Sequence, residues 1–460
     1  MEKRNEKVHV LVVPYPAQGH INPMIQFCKR LINHNGIKCT LALTLHLSKT
    51  ITPTATATPN IIFETISDGC DRAGFSEAGT SEIYLEKLRE NGSRTLEELI
   101  VKLNSTGNPV DVIIYDGFLP WALDVGKRFG LLGVLFFTQT CSVNAIYYHV
   151  HQGNLKLPLT QSTVSLPGLP LLLDSETPSY VHVYGDYPGF SHTVVNQFSN
   201  IDKADWVLFN SFYDMEKEVL DWARKLWRRV ITIGPTLPSL YLDNRLKDDT
   251  DYDINLFNPD SSSCLNWLNT KPPNSVVYVS FGSMADLTPA QIAEIASGLE
   301  DTNQFFIWVV RSSESAKLPE NFKPEKGLVV AWCPQLQVLA NPSTGCFVTH
   351  CGFNSVIEAM SLGVGIVAVP QWSDQITNGK FVEEVWGIGI RAKKDVNGIV
   401  RREVLRDCIK EVMEGDRGRE IGKNLLKWKK LSKEAIDEGG SSDKNIDEFC
   451  KSIINHHLSL

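Results

Sequence analysis

The chain has 460 residues and a mass of 51.4 kDa, which exceeds one hydrophobic core and suits two or three domains. Its hydrophobic fraction of 43% and charged fraction of 21% are those of ordinary folded proteins. Lys plus Arg is 45 and Asp plus Glu is 53, and this net charge of −8 argues against a protein that neutralises nucleic-acid backbones.

Membrane and disulfide-bonded classes are also disfavoured. No apolar stretch approaches the roughly 20 residues that span a bilayer. The charged N-terminus leads into an apolar run without a signal-peptide pattern. The 10 cysteines contain no CxxC pair, so neither a disulfide framework nor a zinc knuckle is indicated. We therefore expect a cytoplasmic protein with reduced cysteines, no membrane span and no nucleic-acid partner.

Apolar, strand-like runs alternate with helix-like stretches along most of the chain. In the first half strands are predicted at His9–Tyr15, Ile37–Leu43, Ile61–Ile66, Val110–Asp116 and Leu131–Thr138, and helices include Pro23–Asn33 and Ser93–Leu103. In the second half strands are predicted at Val276–Gly282, Phe305–Val310, Gly327–Trp332, Cys346–Cys351 and Gly365–Pro370, and helices at Pro289–Gly298, Asn354–Leu362 and Arg402–Glu414. Runs so poor in polar alternation are typical of parallel sheets covered on both faces. The pattern predicts an α/β protein with two doubly wound domains and an active cleft between them.

The two halves are separated by an acidic segment with little apolar periodicity. Residues 241–263 include LDNRLKDDTDYD and NPDSSS, a composition that suits a solvated linker. We therefore predict one domain over residues 1–240 and a second over 264–440. The Gly-Gly pair before residue 441 predicts a separate last helix over 441–460.

A histidine follows the first predicted strand. Asn22 is a good helix N-cap and Pro23 suits the first helical position, so His20 is predicted in the loop before the helix. The positive end of a helix favours the neutral imidazole that a general base needs. In the commonest doubly wound strand order, 3-2-1-4-5, Asp116 ends the neighbouring strand. The two residues are therefore either a His–Asp catalytic dyad or an ordinary loop histidine and a capping aspartate.

The stretch around His350 has the features of an anion site. His350 closes a predicted strand, and a Gly-containing turn then leads to Asn354 and Ser355 at a helix start. Glu358 lies one turn later on the same helical face, where a carboxylate suits sugar hydroxyls. Ser355 and Glu358 also have the spacing of a capping box, which would merely satisfy the helix end.

Further polar residues follow other strands. Ser283 ends Phe281-Gly282-Ser283, a weaker anion-site candidate. Asp374 and Gln375 follow the strand that ends at Pro370, and they suit either a hydroxyl-rich ligand or an ordinary turn.

At this point the residues resemble a known family. The stretch from Trp332-Cys333-Pro334-Gln335, through Thr349-His350-Cys351-Gly352-Phe353-Asn354-Ser355, to Pro370-Gln371-Trp372-Ser373-Asp374-Gln375 resembles the signature box of plant UDP-sugar-dependent glycosyltransferases of secondary metabolism. Val13–Pro23 and Val276–Ser283 are similar to that family's N-terminal loop and first C-terminal strand. The resemblance covers essentially the whole chain.

The resemblance implies a GT-B architecture of two Rossmann-like domains. Residues 1–240 would bind the acceptor, residues 264–440 would bind the UDP-sugar, and the helix at 441–460 would return to the N-terminal domain. It also implies an inverting transfer without metal or resident cofactor, in which the UDP-sugar is a co-substrate, and a monomer.

The resemblance also assigns roles to residues. His20 would be the base and Asp116 would steady the imidazolium. Uracil and ribose would be held by Trp332, Cys333, Gln335 and Glu358. The diphosphate would be held by Ser283, His350, Asn354 and Ser355. The sugar would be held by Asp374, Gln375, Phe353 and Thr138.

Four positions refine this assignment. Phe353 stands where the family usually has Trp, near the sugar. Asn341 replaces a usual His, for which we expect a packing effect, and Gly365 replaces a usual Pro, which is expected to loosen a turn near the sugar site. Gln375 rather than His favours glucose, so UDP-glucose is the expected donor.

The acceptor is less determined. It is expected among N-terminal aromatic residues: Phe75, Tyr84, Phe118, Trp121, Tyr148, Tyr187 and Phe190. The pocket suits a lipophilic molecule, a steroid or terpenoid before a phenol or aromatic acid, attacked through a hydroxyl or a carboxyl. The alternative function is a non-catalytic UDP-sugar binder or sensor.

Overall fold

The computed structural model describes residues 7–53, 61–255, 261–320 and 322–459. The chain forms two compact units, Met1–Leu256 together with Glu434–Leu460, and Phe257–Lys433. Each unit is built on one fully parallel sheet with helices in the connections. The predicted α/β class with two Rossmann-like units is thereby confirmed.

The first unit contains a seven-stranded sheet. Its strands, in chain order, are β1 (Val8–Val13), β2 (Ile37–Thr44), β3 (Ile61–Ile66), β4 (Val112–Asp116), β5 (Leu132–Phe137), β6 (Trp206–Phe209) and β7 (Val230–Thr232). Their spatial order is β7-β6-β5-β4-β1-β2-β3. Every residue of β1 and β4 is buried, as continuous Val/Ile runs require. The expected adjacency of the first and fourth strands is confirmed, whereas β6 and β7 were not predicted.

Helices fill the connections of this unit. They are α1 (Gln18–Ile32), α2 (Leu45–Thr50), α3 (Phe75–Ala78), α4 (Ser81–Ser105), α5 (Pro120–Arg128), α6 (Cys141–His151), α7 (Ser179–His182), α8 (Pro188–Asn196) and α9 (Lys217–Leu226). Two short antiparallel pairs lie outside the sheet, Thr52–Pro53 with Ile254–Asn255 and Thr163–Val164 with Leu172–Leu173.

The second unit has a six-stranded sheet of order β10-β9-β8-β11-β12-β13. Its strands are β8 (Val276–Ser280), β9 (Phe305–Val309), β10 (Gly327–Val330), β11 (Thr344–Thr349), β12 (Gly365–Ala368) and β13 (Gly389–Arg391). Its helices are α10 (Ser261–Leu268), α11 (Pro289–Thr302), α12 (Gln335–Ala340), α13 (Phe353–Leu362), α14 (Gln375–Lys380), continued by a π-helical turn, and α15 (Arg402–Glu414). The chain ends with α16 (Asp416–Ile436) and α17 (Ser441–Ser459). Of these strands only β13 was not predicted.

The acidic segment after residue 240 is not a solvated linker in its described part. Lys29, on α1, is buried and contacts Asp249 at 2.7 Å and Asp253 at 3.0 Å. Arg30 makes two contacts with the Asp243 carboxylate, at 2.5 and 2.8 Å. Asp243, Asp249 and Asp253 therefore face cations instead of water, which composition alone does not reveal. Residues 256–260 of the predicted linker lie outside the described residues.

The last helix packs on the first unit. Its Ser442 hydroxyl donates to the Gly234 carbonyl at 2.6 Å, and His457 Nδ1 lies 2.9 Å from Asp111 Oδ1. All ten cysteines are free thiols. Among the described residues no helix is long and apolar enough to cross a membrane.

Candidate active site

In the first unit His20 and Asp116 form a direct pair. His20 Nδ1 lies 2.7 Å from Asp116 Oδ2, and the side chains are 16% and 1% exposed. The backbone N–H of Phe118 donates to Asp116 Oδ1 at 2.9 Å, which fixes the carboxylate. The strand order thus brings together two residues 96 positions apart, as the sequence predicted. Their catalytic role stays a prediction at this point.

The start of α1 differs from the prediction. The helix begins at Gln18 with Ala17 as N-cap, so Asn22 and Pro23 lie inside it. The buried face of the helix includes Ile21, Met24 and Ile25, and this packing overrides the local capping signal. His20 is therefore a first-turn helical residue and not a loop residue. It still lies at the helix end where backbone N–H groups are left without intrahelical partners.

Three neighbours surround the imidazole. The ring centroid of His20 lies 5.1 Å from that of Tyr15 and 4.9 Å from that of Phe118. Thr138, expected near the sugar, has its Oγ1 3.2 Å from His20 Nδ1. Burial, with the charges of Asp116 and Asp68, raises the pKa of Tyr15 above its ordinary range, so this phenol stays neutral. His20 therefore contacts polar groups through Nδ1 and packs against two aromatic rings that also contact each other.

The predicted acceptor aromatics divide into groups. Phe75 packs on Tyr84, and Tyr187 and Phe190 both pack on Tyr180. Two other predicted residues, Tyr148 and Trp121, pack closely against neighbouring residues of the same unit. Tyr148 joins a cluster with Phe198, Trp222 and Trp227. Trp121 lies so close to Gly92 of α4 that a Cβ there would approach its ring to 2.7 Å.

In the second unit several predicted residues are already bonded to one another. Trp332 and Cys333 lie in the segment between β10 and α12, and Gln335 opens α12. Gln335 Nε2 donates to Glu358 Oε2 at 2.7 Å and to Ser355 Oγ at 3.0 Å. Gln335 and Glu358, both expected at ribose, are therefore adjacent, and Ser355 is bonded to the same amide.

This arrangement excludes the capping-box interpretation. Helix α13 begins at Phe353, one residue before the predicted Asn354, and Gly352 is its N-cap. Ser355 is then the third helical residue and not the N-cap, and the N-cap Gly352 has no side chain that could cap the helix. The first turn therefore presents backbone N–H groups beside Asn354 and the His350 ring. Phe353 is buried, 4% exposed.

Two glycines enclose His350. A Cβ at Gly282 would lie 2.8 Å from the His350 ring, and a Cβ at Gly352 would lie 2.7 Å from its Nε2. Gly282 also has φ +73°, a conformation that favours glycine. Burial, with a smaller effect from the Arg311 charge, lowers the pKa of His350 to about 4. The ring is therefore neutral near pH 7 and able to donate one N–H.

The loop that carries Ser283 is fixed by an arginine. Arg311, which follows β9 closely, donates to the carbonyl oxygens of Ser283 and Ala285. These bonds hold the turn after β8 against the end of β9. The predicted anion residue Ser283 thus sits on a braced turn beside the glycine that contacts His350.

Asp374 and Gln375 lie at the start of α14. Asp374 Oδ2 accepts from Asn378 Nδ2 at 2.7 Å, and the same amide donates to the Cys351 carbonyl at 3.0 Å. Gln375 Oε1 accepts from the backbone N–H groups of residues 371 and 372, at 3.0 and 3.2 Å. Both side chains are more than nine-tenths buried. One oxygen of each side chain therefore makes local hydrogen bonds, as expected for turn residues. The role of Asp374 and Gln375 in binding a sugar stays a prediction.

Comparison with known proteins agrees with these features. A family model described as UDP-glucoronosyl and UDP-glucosyl transferase matches residues 234–434. UDP-glycosyltransferase 74F2 of Arabidopsis thaliana is 48% identical over 460 residues, covering 98% of this chain and 99% of the relative. The chain belongs to the UDP-glycosyltransferase family. Flavonol 7-O-beta-glucosyltransferase UGT74F1 of A. thaliana is 46% identical, with 97% and 98% covered. The resemblance found in the signature box is confirmed, and the protein is a UDP-glycosyltransferase enzyme.

A solved structure supports the same assignment. Os79 from O. sativa in complex with UDP has a TM-score of 0.91 and 40% identity, with 96% of this chain and 100% of that chain covered.

Two departures from the UDP-glycosyltransferase pattern have structural explanations. Gly365 is the first residue of β12, where a Cβ would lie 2.7 Å from Val412 Cγ1 of α15. The expected loosened turn is wrong, because the position is a close contact between strand and helix. Asn341 is bonded to Asn269 at 2.8 Å and accepts from the Ser343 N–H at 2.9 Å, so it braces a turn by hydrogen bonds.

Sequence reasoning missed residues that position the predicted ones. Tyr278 contacts Gln335, Arg311 holds the Ser283 turn, and Asn378 holds Asp374. Tyr15 packs on His20. All four belong to strands, loops or helix faces that look like ordinary core or surface in sequence. Tyr15 and Tyr278 do lie inside stretches that resemble the family, but nothing in the sequence shows which side chain either one contacts.

Proposed function

We propose that the protein transfers glucose from UDP-glucose, with inversion at the anomeric carbon, to an oxygen of a lipophilic small molecule. The contact between His20 Nδ1 and Asp116 Oδ2 carries this proposal. A carboxylate accepts hydrogen bonds only, so Nδ1 holds the ring proton of the neutral imidazole. Nε2 then has the free lone pair that a general base needs.

The reaction moves one proton and one sugar. As the acceptor oxygen attacks the anomeric carbon, His20 Nε2 takes its proton, and the bond from that carbon to the UDP oxygen breaks. UDP leaves with the bonding electron pair. Attack from the face opposite UDP inverts the anomeric centre. Asp116 stabilises the imidazolium that forms, and a positioned base of this kind contributes about 10²–10⁴-fold.

The donor is assigned to the second unit. The Gln335–Glu358 pair holds ribose hydroxyls, Trp332 and the Cys333 backbone hold uracil, and Asp374 and Gln375 hold glucose. The first turn of α13, with Asn354 and Ser355, receives the diphosphate together with Ser283 and a neutral His350 N–H. Charge that develops on the leaving diphosphate is stabilised there by fixed dipoles. On the family resemblance we propose that no metal or resident cofactor is needed.

The acceptor is proposed to be a steroid or terpenoid, with phenols and aromatic acids next. Aromatic residues of the first unit support a lipophilic acceptor, since Phe75 is 46% exposed and Tyr187 37% exposed. The relative named as a flavonol glucosyltransferase favours phenols as the second class. A cytoplasmic monomer is proposed from the same resemblance. The family assignment leaves the non-catalytic binder without support.

The test is product analysis. Purified protein is incubated with UDP-glucose and, separately, with steroids, terpenoids, phenols and aromatic acids, with and without EDTA. Mass spectrometry is expected to show a gain of one hexose that EDTA leaves unchanged, and proton NMR a β-anomeric product. A product of α configuration would contradict inversion, and absence of hexose on every class would contradict the proposed acceptor. UDP-galactose in place of UDP-glucose is the matched donor control.

A further inference from the structure

We propose that Tyr278 is a positioning residue for ribose recognition, acting through the side-chain amide of Gln335. The inference rests on the proposed function, because it assigns Gln335 and Glu358 to the ribose of the donor. Tyr278 lies in the middle of β8, is 1% exposed and stacks on Phe347 with ring centroids 4.8 Å apart. Its ring packs in the core, and its buried hydroxyl contacts polar side chains.

The hydroxyl is bonded on two sides. It lies 3.1 Å from Gln335 Oε1, and the Cys333 thiol donates to it at 3.3 Å. Cys333 and Gln335 are the residues expected at uracil and at ribose. Tyr278 therefore contacts both the residue expected at uracil and the residue expected at ribose.

Glu358 fixes the direction of these hydrogen bonds. A carboxylate accepts only, so the Gln335 nitrogen must face Glu358 Oε2, 2.7 Å away, and the amide oxygen must face Tyr278. The phenol then donates to Gln335 Oε1 and accepts from Cys333. Burial keeps the phenol protonated by raising its pKa well above the ordinary value, which preserves it as a donor.

The direction of these hydrogen bonds matters for the binding of ribose. Gln335 Nε2 donates one hydrogen bond to Glu358 and one to Ser355. The bond to Glu358 holds that carboxylate in one orientation. A ribose hydroxyl must donate to that carboxylate. Without the phenol, Gln335 Oε1 loses its hydrogen-bond donor, and the amide that anchors the Glu358 carboxylate is held only through its nitrogen.

The test compares affinity for UDP with affinity for 2′-deoxy-UDP by calorimetry. In Tyr278→Phe we expect UDP affinity to fall about tenfold while 2′-deoxy-UDP affinity changes little, because one buried hydrogen bond to the ribose-binding pair is lost. The preference for UDP over 2′-deoxy-UDP should fall by the same factor. Tyr115→Phe is the matched control: Tyr115 is fully buried on β4, and its hydroxyl has no hydrogen-bond partner among the described residues.

A double-mutant cycle tests whether Tyr278 acts through Gln335. In a Gln335→Leu background, Tyr278→Phe should have no further effect on the UDP preference. An unchanged preference in Tyr278→Phe, or additive effects in the double variant, would overturn the proposal and leave Tyr278 as a packing residue. Failure of the parent protein to bind UDP would instead contradict the proposed function. Phe347→Leu, which disturbs packing but keeps the hydroxyl, should lower the melting temperature without changing the preference.

Discussion

The two units hold their candidate chemistry in different ways. In the first, one imidazole on the first turn of α1 rests on one buried carboxylate, and aromatic rings pack around it. In the second, the Gln335 side chain is hydrogen-bonded to Ser355, Glu358 and Tyr278. A sparse site suits a group that must exchange a proton. A connected network of hydrogen bonds suits recognition of a nucleotide, because its side chains hold one another in one orientation.

This difference predicts that damage to the two regions has different kinetic signatures. Changes at His20 should lower kcat, because the proton transfer occurs only in the transition state. Changes in the Gln335–Glu358 network should raise KM for UDP-glucose, because ribose is held equally before and during transfer.

The largest effect is expected from His20→Ala. Removing the base should lower kcat toward a hydroxyl acceptor about 10²–10⁴-fold. Initial rates of glucoside formation at saturating UDP-glucose measure this. A carboxylate acceptor is already ionised and should lose much less. His34→Ala, a partly exposed histidine of the same unit, is the control and should keep the parent rate.

Asp116→Asn should follow, with a loss in kcat of about 10²-fold, because the uncharged amide no longer stabilises the imidazolium. The same rate assay applies. Asp124→Asn, at a half-exposed aspartate on α5, should leave the rate unchanged. A rate within threefold of the parent in Asp116→Asn would show that the carboxylate only holds the fold.

Glu358→Ala is expected to act on binding instead. Loss of charged hydrogen bonds should raise KM for UDP-glucose about 10–100-fold with little change in kcat. Steady-state kinetics with varied UDP-glucose separates the two constants. A fall in kcat at unchanged KM would break the contrast between the units. Glu300→Ala, on the exposed side of α11, is a matched control.

The smallest effect concerns stability and pH. The pKa of His350 is about 4 in the folded chain and near 6.5 when unfolded, so the unfolded chain binds a proton that the folded chain does not. The free energy of unfolding should therefore fall as pH drops from 6.5 toward 4, by at most on the order of 3 kcal/mol from this group. Urea unfolding at pH 7 and 4.5 tests it. In His350→Asn the difference between the two pH values should shrink, and an equal difference would contradict the lowered pKa of this imidazole.

The sequence predicted the sheets better than the ends of elements. Ten strands were found from apolar runs, because most such runs are buried in a parallel sheet; the edge strand β3 is the exception, with Ile62 48% and Phe63 44% exposed. The start of α1 was missed because Asn22 and Pro23 give a local signal that packing of Ile21 and Met24 overrides. The acidic segment was misread as solvated because its partners, Lys29 and Arg30, lie more than 200 positions earlier.

The site residues also differ in how well the sequence predicts them. The signature box is contiguous, so its residues could be named from sequence with their neighbours. The His20–Asp116 contact required a strand order, which the common topology supplied. Tyr278 could not be found, since a tyrosine in a buried strand gives no sign of which side chain its hydroxyl meets.

Measuring kcat and Kd in the same two variants tests most directly whether the first unit acts in catalysis and the second in nucleotide binding. The kcat for glucoside formation and the calorimetric Kd for UDP are determined for His20→Ala and Glu358→Ala. We predict that His20→Ala loses at least about 10²-fold in kcat while its Kd stays within twofold. Glu358→Ala should show the reverse, a weakened Kd and a kcat close to the parent. Retention of full kcat toward a hydroxyl acceptor in His20→Ala would contradict the account.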